Sequence, residues 1–125
     1  MIRIVANLSA AIAAITVLSG GMQVVAPAFV LGVLDGETSP SSCHFFRIVG
    51  LFMMLFGGLL LHVWWGISDH RGGVPIYWCA WQKAGAVAAV IWGVMQGLFA
   101  PLALGVAGFD LISAVIIFLY ARSLD

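Results

Sequence analysis

Charge is what this sequence has least of. Its 125 residues include five Lys or Arg and five Asp or Glu, 8% of the chain, against 63% hydrophobic residues. Soluble domains carry about 25% charged residues, so a water-soluble globule built from this chain would lack the polar side chains to cover its surface. The same shortage excludes disorder, because disordered chains are polar and charged. A formal net charge of zero offers nucleic acid no electrostatic footprint. Cysteine is scarce too: Cys43 and Cys79 form no CxxC pair, which argues against disulfide-exchange chemistry. GxSxG, HExxH and Walker-type phosphate loops are missing, and no catalytic constellation replaces them. Nothing in the chain stands alone as an enzyme.

What is present is hydrophobic length. The mean hydropathy is +1.14, and 125 residues make one domain. A helix needs about 20 mostly apolar residues to cross a bilayer. Four segments meet that, at about residues 4–22, 42–66, 81–100 and 102–120. The expected fold is all-α, a polytopic antiparallel four-transmembrane-helix bundle. Between the first two spans VVAPAFVLGVL is too short to cross and is split by Pro27, so it reads as an interfacial or re-entrant piece. DGETSPSS follows as a loop, with Ser41 and Ser42 placed to cap the second helix. GISDHRGGVP is a polar turn, and Asp69, His70 and Arg71 in it read as solvated. Pro101 is placed to start the last helix directly after the third.

The basic residues set the orientation. With four spans, Arg3, Arg71, Lys83 and Arg122 fall on one side and Arg47 on the other. The positive-inside rule then puts both termini in the cytoplasm, as in a multi-pass protein of a bacterial-type inner (plasma) membrane. Trp64, Trp65, Tyr77, Trp78 and Trp81 bracket the middle loop as an interfacial belt. On this topology Cys43 and Cys79 lie a bilayer apart.

Small residues are expected to hold the helices together, because lipid supplies no hydrophobic force between them. Gly85, Ala89, Gly93 and Gly97 recur at intervals of four in the third span, and Gly50, Gly57 and Gly58 mark the second. In the fourth, Ala103, Ala107, Asp110 and Ala114 oppose Phe109, Ile112, Ile116 and Leu119.

Few polar groups remain at membrane depth. Asp110 lies about 13 Å into the last helix, and Arg47 about 7 Å below the outer end of the second. An unpaired charge at that depth is expensive, so Arg47 is the expected partner of Asp110. Gln96, Gln23 and Ser113 join them in the outer half. Two readings follow: a buried ion pair that fixes helix register, or a pocket for a lipid head group, a quinone carbonyl or a proton. His62 follows Gly58 by one turn. That small-xxx-His spacing resembles light-harvesting antenna helices and implies pigment or haem ligation, against interfacial anchoring as the plainer role.

Small multidrug transporters carry a membrane-embedded Glu in the first helix, which this chain lacks, and the glycine-arginine segment of fluoride channels is missing. A first span ending near PAF, Arg47-x-x-Gly50, Gly57-Gly58 and Phe109-Asp110-Leu111 run across most of the chain. In this layout the sequence resembles DoxX-like and related small four-helix membrane proteins. The resemblance implies quinone-linked sulfur oxidation or an accessory role beside redox enzymes. The expected function is a non-enzymatic accessory or structural subunit, surrounded by membrane lipids and by other membrane subunits or copies of itself. The alternative is a binder of a quinone, lipid or other lipophile in the outer polar pocket.

Overall fold

The computed structural model describes residues 1–66 and 73–125, and the Asp69–His70–Arg71 loop lies outside the described residues. All regular structure among the described residues is helical. The helices are α1 (Ile2–Val25), α2 (Pro27–Val33), α3 (Pro40–Trp64), α4 (Val74–Met95) and α5 (Ala103–Ser123). Three of them, α1, α3 and α5, are long and apolar enough to cross a membrane. In α4 the dipeptide Gln82-Lys83 and the tryptophans at 78, 81 and 92 lower the apolar character.

Each boundary has a local cause. The α1 ladder stops where Pro27, which has no N–H, opens the short α2. Ser39, rather than Ser41 or Ser42, caps α3: its Oγ accepts from the Ser42 N–H at 3.2 Å, with Pro40 in the first turn. Helix α4 begins at Gly73 with Pro75 in its first turn, well before the expected start near residue 81. It ends at Met95 because Gly97 takes φ +72°. There the Leu98 N–H donates to Gly93 O at 2.9 Å and the Gly97 N–H to Val94 O at 3.1 Å, the paired bonds of a Schellman stop. The helix expected over 81–100 thus lies over Val74–Met95, and it is not among the three that are long and apolar enough to cross a membrane. Helix α5 starts at Ala103, two residues after Pro101.

Two helix pairs carry most of the packing, α1 along α3 and α4 along α5; α1–α5 and α3–α4 contacts join them more lightly. Small residues permit the first pairing. A Cβ on Gly50 would fall 2.6 Å from Gly20 O and 2.7 Å from Gln23 Cβ, and one on Gly57 would fall 2.9 Å from Ala13 O. The small-residue face of α5 is buried as expected: Ala103, Ala107, Asp110 and Ala114 are inside, while Ile112 and Leu119 are exposed. The α4 stripe behaves differently. Gly85 and Ala89 are exposed, and nothing lies within 4 Å of a Cβ on Gly85. Of the stripe only Gly93 is buried, against the Phe99 ring; the rest of the inward face of α4 is Ile76, Cys79, Ala80 and Lys83.

A dense apolar core occupies one end of the molecule. It joins Ile12 and Ala13 of α1 and Leu60 of α3 to the first turns of α4 (Ile76, Cys79, Ala80) and the last turns of α5 (Ile117, Tyr120, Ala121). The same end is tied by Asp125. Its Oδ1 accepts from the Gly73 N–H at 2.7 Å and its Oδ2 from the Tyr77 hydroxyl at 2.8 Å. These donors hold the Asp125 carboxyl below its usual range, the Gly73 amide most strongly and Tyr77 next.

Candidate functional site

Lys83 stands nine residues after Val74, about 13 Å along α4. Asp110 stands seven residues after Ala103, about 10 Å along α5 from its other end of the chain connection. The two meet: Lys83 Nζ lies 2.9 Å from Asp110 Oδ1, with both side chains less than a tenth exposed. The ammonium also sits 5.4 Å from the centre of the Phe109 ring, within cation–π range. Of the residues expected in the pocket, Asp110 is thus placed in a buried ion pair, but its partner is Lys83.

Arg47 is drawn elsewhere. Its Nε donates to the Val24 carbonyl at 3.3 Å from an exposed position. The break at Pro27 leaves the last carbonyls of α1 without intrahelical donors, and Arg47 supplies one from α3. The expected Arg47–Asp110 pair is corrected by this geometry.

Gln23 does reach the interior. The close approach of α1 and α3 at Gly20 and Gly50 sets it against Met53, and Gln23 Nε2 donates to Met53 Sδ at 3.2 Å. Its Oε1 is buried with no hydrogen-bond partner among the described residues. Ser113 is buried, and its hydroxyl donates to Phe109 O in its own helix at 2.7 Å. That bond helps to hold the turn that carries Phe109 and Asp110. Gln96 is the exposed C-cap of α4, on the same outward side as Gly85 and Ala89, and does not join the site. His62 is exposed in the last turn of α3, outside the cavities around Lys83.

The half of the molecule away from the core is loosely filled. A cavity of about 260 Å³ is walled by Thr16, Ser19, Met22 and Gln23 of α1, by Val30, Val33 and Leu34, and by Val106, Phe109 and Asp110 of α5, with Met53 and Lys83 also lining it. A second, of about 160 Å³, shares Gln23, Leu34, Met53, Lys83, Val106 and Asp110 with it and adds Gln82 and Phe99. Met22, Val33 and Val106 in the first cavity's wall are substantially exposed, so that cavity opens sideways between α1–α2 and α5. The outcome is a mostly apolar chamber whose polar lining comprises the Lys83–Asp110 pair, Gln23, Thr16 and Ser19. Such a chamber suits a ligand with a long apolar body and one small polar group.

Lys83 is the residue that sequence reasoning missed, and Gln82 beside it. A usable signal was present in Gly73 followed by Pro75, a helix-start pattern that places Lys83 more than two turns inside. Compared with family models, with curated proteins and with solved structures, the chain matches none.

Proposed function

We propose that this chain is a four-span integral membrane protein that binds a lipophile in the chamber beside Lys83 and Asp110. The observation that carries the proposal is a buried ion pair on the wall of a cavity of about 260 Å³ whose other lining is mostly apolar. A pair serving helix register alone would be expected to be enclosed by packed side chains. Here it borders a space that opens toward the side of the molecule.

Helices α1, α3 and α5 supply three spans, and α4 is the fourth in this reading, its Lys83 charge matched by Asp110 instead of exposed to lipid. Removing Lys83 from the orientation count leaves Arg3, Arg71 and Arg122 against Arg47, so both termini still fall on the cytoplasmic side. The DoxX-like resemblance, with a quinone as one candidate lipophile, belongs to the same proposal. Mass spectrometry of the gently solubilised protein tests it. A lipophile is expected to leave with the wild-type protein and to be lost from Val106→Trp, which fills the chamber. A bare wild-type protein under the mildest conditions contradicts it.

A second reading, an accessory subunit of a larger membrane assembly, is favoured by the outward stripe of Gly85 and Ala89, which α4 leaves without an intramolecular neighbour at Gly85. Small residues let a further helix approach closely. Copurification of another membrane subunit or formation of a homo-oligomer, lost in Gly85→Leu, supports it. A monomer with no partner removes it.

A further inference from the structure

We infer that a cavity at the end of the molecule away from the apolar core binds a single-chain amphiphilic cation, its positive group paired with Glu37 and its tail in the cavity. The site is distinct from the chamber of the ion pair, since neither Lys83 nor Asp110 lines it. Its volume is about 330 Å³, and its walls are Leu31 of α2, Phe45, Phe46 and Val49 of α3, and Leu98 and Phe99 of the turn after α4. Glu37 is the one charged residue of the lining. Apolar walls with one charge suit a ligand with an apolar body and one charge of opposite sign.

Local structure builds this cavity. Helix α2 ends in the paired bonds of a Schellman stop, Gly36 N–H to Leu31 O at 2.8 Å and Asp35 N–H to Gly32 O at 3.2 Å, with Asp35 at φ 55°. The Ala100 N–H donates to Leu34 O at 2.8 Å and ties that stop to the turn before α5. Phe99 is seated between two glycines: a Cβ on Gly93 would fall 2.7 Å from its ring, and one on Gly36 3.2 Å. Glu37 follows directly on this bonded stretch of backbone.

Charge decides which amphiphile fits. Glu37 is exposed, and its carboxylate has neither an ion pair nor a hydrogen bond among the described residues. Ser42, the other polar residue of the lining, is engaged with Ser39 in the cap of α3. None of the described residues lining the cavity is basic, and Arg47 is turned to Val24 O. Asp35 adds a second negative charge to the same loop. An anionic amphiphile meets repulsion here, a neutral one gains only the burial of its tail, and a cation gains both attraction and burial. Because Glu37 is in water, the attraction is modest and screened by salt.

The test uses the full chain in phosphatidylcholine nanodiscs, with decyltrimethylammonium, decanol and decanoate as probes, each referred to its concentration in the bilayer. Methyl NMR shifts of Leu31 and Leu98, which line this cavity and not those beside Lys83, read occupancy of the site. At low salt decyltrimethylammonium is expected to bind about fivefold more tightly than decanol, the scale of an exposed ion pair, and decanoate to bind most weakly. High salt is expected to shrink that preference, and Glu37→Gln to abolish it with decanol binding unchanged. Having no partner among the described residues, Glu37 can be replaced without loss of the fold. Equal binding of the cation and decanol to wild-type protein, or a preference that survives Glu37→Gln, overturns the proposal. Methyl shifts that follow the head group of the nanodisc lipid and respond to none of the probes assign the cavity to a bilayer lipid and overturn it as well.

Discussion

Replacing Lys83 with Met is the sharpest perturbation of the interior. The pair is 2.9 Å apart, with side chains 5% and 9% exposed. At an effective dielectric constant of ~20 the Coulomb attraction at that separation is about 6 kcal/mol. Desolvating both ions offsets much of this, so the pair as a whole contributes little net stability. Removing one partner is a different matter, because the other charge is then left buried alone. Lys83→Met and Asp110→Leu are each expected to cost about 3–5 kcal/mol. The double variant is expected to return to within about 1–2 kcal/mol of wild type, since both the attraction and the desolvation penalty disappear together. Equilibrium unfolding in mixed micelles, run as a double-mutant cycle, reads the coupling directly. Single costs below about 1 kcal/mol that simply add would refute the pairing. A cycle between Arg47 and Asp110 is expected to show no coupling, in keeping with the Arg47 bond to Val24.

Other consequences concern packing and the tied end. Gly50→Ala is expected to destabilise by about 1–3 kcal/mol, because its Cβ would fall 2.6 Å from Gly20 O. Gly58→Ala meets nothing within 4 Å and is expected to be neutral or up to about 1 kcal/mol stabilising; thermal unfolding separates the two. Arg47→Ala leaves the Val24 carbonyl without its donor and is expected to cost about 1 kcal/mol, measured by the same unfolding assay. The Asp125 carboxyl is held below its ordinary range by Gly73 and Tyr77. Its clamp is therefore in place above that range and is lost as pH falls through the lowered value. Hydrogen exchange at the Gly73 amide is expected to be slow at neutral pH and to lose protection in acid, and Asp125→Ala, which removes the acceptor, to lose it at every pH. Unchanged protection in Asp125→Ala contradicts the clamp.

Much of the fold was legible because apolar length and proline position act locally. Pro27 marked the break between α1 and α2, and the buried face of α5 followed from Ala103, Ala107, Asp110 and Ala114 at helical spacing. Asp110 was recognised as needing a partner from its depth alone. The identity of that partner was misread for a physical reason. Gln82 and Lys83 depress hydropathy near the middle of α4, so a search for apolar length slides the span toward residue 100 and leaves Lys83 in the headgroup region. Once the helix begins at Gly73 the lysine is deep, and its charge requires Asp110. The error at Gly97 has the same origin: a small residue at an interval of four continued the stripe, whereas its positive φ ends the helix. The chamber was beyond the reach of pattern, since it depends on how two helix pairs fail to fill the space between them.

The most direct test of the chamber is photolabelling in a bilayer with a long-chain lipophile that carries a diazirine near its polar end. Labelling is expected on the cavity-lining residues Met22, Val106 and Phe109, with strong reduction in Val106→Trp and by excess of the same lipophile without the diazirine. Labelling confined to outward side chains such as Leu18 and Ile112, which are 74% and 62% exposed, and indifferent to Val106→Trp, would contradict the binding of a lipophile beside Lys83 and Asp110.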